Sequence, residues 1–387
     1  MRKSLLAVIG LLCAGIVAAP ALAADETIRI AMPANLSGDL ASLDIPTVDG
    51  AKLKAQQINT AGGVLGKQLE LVIVDTRTDP ATIAAEGNKL IAQRPAAIVA
   101  YTDSDSVQTL GTLAQRAGIP FITPGATSPK LPDQIGDGMF LACFGDNVQA
   151  AAGAEFLRKT LGAKNVYLLW DTTNIYTTLL AAYFKQSFAK AGGTIVGEDT
   201  YTADNPAIPT QIASLAAAQQ KPDALYVSAL PDEIGPIVKQ LRAAGFTQPI
   251  VGGDGYDTPL LLSVAGAAAN NVYFTTHAYM AEDGNAAIKT FYAAYKTAYG
   301  KVPENAFAGL GYDAIGLVVQ AIAAAGSAEP AKIRTALAAI HDFPSVTGTV
   351  SYHPGSRVPD KSVSIIAVKD GTLHLAEALT PAWVPEP

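Results

Sequence analysis

Residues 97–130 read AIVAYTDSDSVQTLGTLAQRAGIPFITPGATSPK. An apolar run at 97–101 gives way to a hydroxyl-rich loop at 102–106, a helical pattern at 107–118, a second apolar run at 119–123 and a small, hydroxyl-bearing loop at 124–128. Short apolar strands joined by a helix specify parallel strands with right-handed crossovers. Both loops then fall at the carboxyl ends of strands, where open α/β sheets hold their ligands. Clustered Ser and Thr can bind there; alone they do not catalyse.

The same alternation extends in both directions. Upstream it predicts strands at 27–33 and 69–75 and helices at 46–61 and 80–93; Ser37, Gly38 and Ser42 lie in the loop 34–45, Gly62-Gly63 ends the first helix and Asp79 caps the second. Downstream, the Pro-rich loop 124–132 and the apolar run 139–145 lead into a second series. Its strands fall at 165–171, 194–201, 224–230, 249–253 and 271–279, among helices at 148–161, 175–191, 208–219, 233–244 and 259–269. Helices at 286–299, 305–325 and 331–341 follow without intervening strands, so they should return to cover the first sheet. Strands at 348–352 and 363–368 close the chain, the latter in a hairpin with 373–375 through Asp370-Gly371. The expected fold is α/β, with two doubly wound parallel-sheet lobes joined by a multi-crossover hinge. Residues 24–145 with 277–345 would form the N-terminal lobe, and 146–276 with 346–387 the C-terminal lobe. Such a pair is a clamp for a small molecule.

Arg2 and Lys3 precede an apolar run at 5–19, and Ala21-Leu22-Ala23 forms a small-x-small cleavage signal. Residues 1–23 therefore read as a cleaved signal peptide, placing the mature chain outside the cytoplasm. Cys13, preceded by Leu11 and Leu12, does not fit a lipidation site, and no later segment reads as long and apolar enough to cross a bilayer. The whole chain carries 27 basic and 34 acidic side chains; losing Arg2 and Lys3 takes the net charge from −7 to −9, which disfavours nucleic acid as a partner. Only Cys143 remains after processing, in the apolar run MFLACF, so neither a disulfide nor a cysteine metal site is expected.

An enzyme reading finds no support. The four histidines, His277, His341, His353 and His374, have no ligand spacing, and no GxSxG elbow occurs. Gly62–Gln68 resembles a phosphate loop, but the spacing is wrong and Gln68 stands where Ser or Thr must hold the metal. Gly309-Leu310-Gly311-Tyr312-Asp313-Ala314 fits a dinucleotide pattern by letter but lies inside a helix. No cofactor or metal is expected. The informative residues sit at strand ends: Ser104, Gly125 and Thr127 in one lobe, Tyr176 and Asp254 in the other. Hydroxyls and helix-start N–H groups suit a carboxylate, and an aspartate ending an apolar strand between glycines can accept an ammonium.

The segments ANLSGDLAS, INTAGGVLGKQLELVIVDTRTDP, IPFITPGATSPKL, GGDGYD and GYDAIGLVVQAI, in this order, resemble the periplasmic solute-binding proteins of ABC importers of the leucine/isoleucine/valine-binding type. The resemblance narrows the location to the periplasm and implies a type I periplasmic binding protein fold and a non-enzymatic, monomeric receptor passing an amino acid, branched-chain or related, to a membrane permease. It implies that Ser104, Gly125 and Thr127 hold the α-carboxylate, Gly125 through its backbone, and that Tyr176 and Asp254 close over the α-ammonium. The loop 36–45, with Ser42 and Leu43, would border the side chain; Tyr101 and Leu230 complete the expected shell. Leu43 and Leu230 depart from the aromatic residues the family often places nearby. The alternatives are an amine-free carboxylate such as an aromatic acid, a ligand-sensing subunit, or an exported hydrolase. For Tyr312 and Asp313 a helix-packing role is the competing reading.

Overall fold

Apolar runs buried on both faces form the centre of each sheet. In the computed structural model, which describes residues 27–204 and 206–387, β1 (Thr27–Ala34) pairs in parallel with β2 (Gln68–Asp75) and β3 (Ala97–Val99), while β4 (Phe121–Thr123) and β5 (Met139–Leu141) extend the order to β2-β1-β3-β4-β5. Residues 1–23, read as a signal peptide, lie outside the described residues. Helices α1 (Ala41–Thr60), α2 (Pro80–Ala92), α3 (Ser104–Ala117) and α4 (Leu131–Ile135) join these strands. The second lobe repeats the plan. There β6 (Asn165–Asp171), β7 (Thr194–Tyr201), β8 (Ala224–Ser228), β9 (Ile250–Gly252) and β10 (Val272–Thr276) run parallel in the order β7-β6-β8-β9-β10. They alternate with α5 (Asp146–Glu155), α6 (Ile175–Lys190), α7 (Pro209–Ala217), α8 (Pro231–Ala243) and α9 (Pro259–Ala265).

The helices α10 (Ala286–Tyr299), α11 (Ala306–Ala325) and α12 (Pro330–Ala338) return to the first lobe: Ile315, Val318, Ile322, Ile333 and Leu337 share one core with Ile28, Ile30 and Met32. A short ribbon, β11 (Phe343–Ser345) with β12 (Gly348–Val350), and then Tyr352 stay with that core; the chain enters the second sheet at β13 (Val363–Lys369), antiparallel to β10, and ends in β14 (Thr372–Leu379). The chain thus passes between the lobes after β5, after β10 and between β12 and β13. In each sheet the winding direction reverses, between β1 and β3 and between β6 and β8, which leaves a crevice at the carboxyl edge. Contrary to the sequence expectation, α11 is long and apolar enough to span a bilayer, but 78% of its apolar 18-residue window is buried and it serves as the central helix of the first lobe.

Boundaries near the cleft differ informatively. α1 starts at Ala41, so Ser42 and Leu43 are helical and Pro46 lies inside the helix. Proline removes the donor that would satisfy the Ser42 carbonyl, and the Asn305 side chain supplies a replacement at 3.2 Å. α3 starts at Ser104, because Asp103 caps it by accepting from the Ser106 N–H at 2.8 Å.

α1 and α11 touch backbone to backbone. A Cβ at Gly50 would lie 1.8 Å from the Ala308 carbonyl oxygen, and one at Gly311 would lie 1.9 Å from that of Thr47. Gly311→Ala must therefore force the helices apart, and a loss of about 3 kcal/mol or more is expected in chemical denaturation. A control substitution at Gly192, where a Cβ meets nothing but φ is +77°, should cost only about 1 kcal/mol.

Buried carboxyls hold the strand-end loops together. Asp44 accepts from the Asn35 N–H and the Thr102 hydroxyl, both at 2.6 Å, and burial pushes its pKa up to about 7. Glu233, accepting from the Leu230 N–H at 2.8 Å and the Tyr201 hydroxyl at 2.7 Å, is pushed by burial to about 7 as well. Asp257 accepts from the Thr276 hydroxyl and, on α11, from the Ala306 N–H at 3.0 Å; its value rises to about 6 for the same reason. A carboxyl whose folded pKa exceeds its unfolded one favours the fold while protonated and costs stability as pH rises through the folded value. The protein should thus melt at a higher temperature near pH 5 than near pH 8. Asp44→Asn should shrink the corresponding difference in unfolding free energy by on the order of 2 kcal/mol, measured by denaturant titration at both pH values.

Candidate functional site

The carboxyl edges of the two sheets face each other across a small, partly enclosed cavity. From the first lobe come Thr102, Asp103 and Ser104 after β3, Thr127 after β4, Leu40 and Leu43 around the start of α1, and Phe307 at the start of α11. The second lobe adds Tyr176 at the start of α6, Leu230 and Pro231 at the start of α8, and Asp254 and Gly255 after β9. One wall is hydroxyl-bearing, the opposite wall acidic, and the space between is lined by Leu40, Leu43, Leu230, Pro231 and Phe307.

The hydroxyls are prepared as donors. Ser104 Oγ accepts from the Ser128 N–H at 3.3 Å, which leaves the Ser104 proton to give, and Ser104 opens the 14-residue helix α3, whose amino end favours an anion. The Tyr176 hydroxyl accepts from the Gly255 N–H at 3.0 Å; burial and the neighbouring Asp254 charge hold its pKa well above the usual tyrosine value, so it too keeps its proton.

Asp254 is 2% exposed and held on both oxygens. Gln149 Nε2 donates to Oδ1 at 2.8 Å, and His277 Nε2 lies 3.0 Å from Oδ2. The same Gln149 amide donates to Asp146 Oδ1 at 3.0 Å, while its Oε1 accepts from the Asp254 N–H and the Thr275 hydroxyl. A neutral amide thus bridges two buried carboxyls. Burial, reinforced by the Asp254 charge, raises the Asp146 pKa well above the carboxylate range, so this second acid is neutral.

Of the residues singled out in the sequence, Ser104, Thr127, Tyr176, Asp254, Leu43 and Leu230 line one cavity. Gly125 does not line it but stands behind it: a Cβ there would come within 2.7 Å of the Phe307 ring, so glycine lets Phe307 lie over the loop. Ser42 turns its carbonyl to Asn305, and Tyr101, in left-handed backbone at φ 62°, buries its ring in the first-lobe core; neither lines the cavity. Tyr312 and Asp313 lie away from it. Tyr312 donates to Gln57 at 2.6 Å, and Asp313 accepts from the Val346 and Thr347 N–H groups, which makes both structural. Sequence reasoning missed Gln149, Asp146, His277 and Phe307. A glutamine within the run NVQAAAGAEF was the available sign for the first of these, as a polar side chain amid alanines needs a partner. Cys143 is buried and free. Among the described residues no cluster of His, Cys, Asp and Glu could hold a metal ion.

The site is a receptor's rather than a catalyst's, and known proteins agree. Over 92% of this chain and 100% of the other, the fold superimposes with a TM-score of 0.85 and 31% identity on the branched-chain amino acid transporter substrate binding protein of Streptococcus pneumoniae, solved in complex with isoleucine. A leucine binding protein of Thermotoga maritima matches with a TM-score of 0.85 and 29% identity, covering 92% of this chain and 99% of that one. The Leu/Ile/Val-binding protein BraC3 of Rhizobium johnstonii is 28% identical over 370 residues, 95% of this chain and 98% of the relative. Residues 27–372 match the family model described as periplasmic binding protein, and the chain belongs to that family of non-enzymatic ligand binders.

Proposed function

We propose that this protein captures a small α-amino acid, branched-chain or similarly apolar, between its lobes and delivers it to a membrane ABC permease, after export through a cleaved signal peptide. The observation that carries the reading is the polarity of the cavity: proton donors of Ser104 and Thr127 on one wall, the Asp254 carboxylate on the other, and aliphatic side chains between them. An α-amino acid with an apolar side chain offers the complementary set. Ser104 and Thr127 take the carboxylate; Asp254 takes the ammonium, with the remaining lone pair of the Tyr176 hydroxyl beside it; Leu40, Leu43, Leu230, Pro231 and Phe307 take the side chain. The relatives that bind isoleucine and leucine support the same ligand class.

One observation favours a second reading, an amine-free carboxylate in the same cavity: both oxygens of Asp254 already have partners within the protein. Titration calorimetry with leucine, isoleucine and valine against benzoate and short aliphatic acids separates the two. Asp254→Asn should weaken amino-acid binding by about 2–5 kcal/mol, roughly 30-fold or more, because the ligand's ammonium is left unpaired in a closed cleft. Equal amino-acid affinity in both proteins would reject the amino-acid reading.

Closure itself has a visible contact, as Asp105 Oδ2 accepts the Ile175 N–H at 3.1 Å from the opposite lobe. Asp105→Ala should favour the open form and weaken binding by about tenfold, or ~1.4 kcal/mol, without touching the ligand. Small-angle scattering should then show a larger radius of gyration for the variant at subsaturating ligand.

A further inference from the structure

His277 lies directly behind the acidic wall, and nothing in the ligand reading above uses it. It directly follows β10 at the second lobe crossing, and its side chain has no solvent exposure. One face stacks on Phe144, with ring centroids 3.9 Å apart, and its edge meets Phe307, itself a cavity residue, at 5.7 Å. Its single hydrogen-bond partner among the described residues is Asp254, through Nε2; Nδ1 is buried without one. A carboxylate taken out of water is stabilised by a cation, which Asp254 can receive from this imidazole behind the wall or from a ligand group in the cavity.

We propose that His277 is a specificity-determining residue of this site: as neutral imidazole it leaves the Asp254 charge for a ligand ammonium, and as imidazolium it supplies that cation itself and admits a carboxylate without an amine. The inference rests on the cavity being the carboxylate-ligand site argued above. Proton balance follows. An amino acid binding to the imidazolium form displaces one proton from His277 to solvent, whereas an amine-free acid binding to the imidazole form takes one up.

The charged and titratable surroundings set the direction. Burial is the largest influence and leaves the His277 pKa below the usual imidazole value; the Asp254 hydrogen bond and charge raise it in part, and the nearby Lys361 ammonium lowers it. Lys361, on the third crossing, is fixed by the Ala142 carbonyl at 3.1 Å. Asp254 in turn faces Asp146, Asp257, Tyr176, Tyr226 and Cys143, of which Asp146, the two tyrosines and the thiol are all pushed up by burial and so stay uncharged. Asp257 lies toward α11, paired with Thr276 and Ala306. His277 is thus the resident group able to become a cation against Asp254.

The test is calorimetric titration of the full chain with L-leucine and with 4-methylpentanoate, its amine-free analogue, from about pH 8 to about pH 5, reaching below the usual imidazole range because burial lowers the His277 value. Each titration is run in two buffers of different ionisation enthalpy, for wild type and for His277→Gln, which keeps a donor toward Asp254 but cannot become charged. In wild type, acidification should weaken leucine, by at most about tenfold per pH unit for one exchanged proton, and strengthen 4-methylpentanoate. In His277→Gln both dependences should flatten and proton exchange should fall to what Asp103 and Asp257, both raised to about 6 by burial, contribute. Equal pH slopes in the two proteins, or proton exchange undiminished in the variant, overturn the proposal, the second because a carboxyl would then be the carrier. If both ligands bind wild type with no pH slope, the receptor reading stands and this inference alone fails; if neither binds at any pH, both fail. Should the variant not fold, the His277 ring resonances of wild type decide: leucine must suppress its protonation and 4-methylpentanoate must promote it.

Discussion

The backbone contact between α1 and α11 is the constraint on which the site depends. Gly50 and Gly311 let two helices, one from the start of the chain and one from beyond the second lobe, approach until carbonyl oxygens fill the space of absent side chains. That contact fixes where α11 begins, and its first turn does three jobs at the cleft. Asn305 satisfies the Ser42 carbonyl that Pro46 leaves without a donor, Phe307 covers the Gly125 loop, and the Ala306 N–H reaches Asp257 of the other lobe. A wedge between the helices would displace cavity, hinge contact and core together.

Burying acids beside a binding cleft has a cost that the local chemistry moderates by different means. Asp44 and Asp103 share Asn35 and lie at helix starts, where N–H groups and the helix dipole offset part of the desolvation. Asp146 gives up its charge, and Gln149 keeps it from facing Asp254 unscreened. Such a network is stiff when every lone pair has a donor and adjustable where one has none. The unpartnered Asp146 Oδ2 and His277 Nδ1 mark where this one retains slack.

The architecture was legible because strand and helix periods in this chain are clean and the punctuation is strong. Asp79 caps α2 as read, accepting from the Thr82 N–H, and Asp370-Gly371, both at positive φ, turn the last hairpin. Where the reading slipped, a distant partner had overruled a local rule. Pro46 marked a helix start by every sequence criterion, and only Asn305, far along the chain, makes an earlier start tolerable. Ser104, Thr127, Tyr176 and Asp254 converge on the cavity because strand ends are predictable from strand positions, whereas Leu43 and Leu230 were reached through the family resemblance. Gln149 and His277 escaped the reading for the opposite reason: each acts through Asp254, over 105 and 23 residues of separation, and at short range only a glutamine set among alanines hints at the first.

The division of the first lobe bears on how the chain can be assembled over time. Its sheet is complete at Leu141, but the helices that cover one face and the segment through Tyr352 that seals the core come after the entire parallel core of the second lobe. A chain that emerges amino end first therefore carries a half-covered sheet until most of its length is out. The second lobe's parallel strands and their helices, by contrast, are contiguous from Asp146 to Thr276. Long-range closure of this kind is slow relative to local collapse. Folding order is thereby written into the topology: the middle of the chain can settle first, and the amino-terminal lobe stays loose, and so threadable, until the last third arrives.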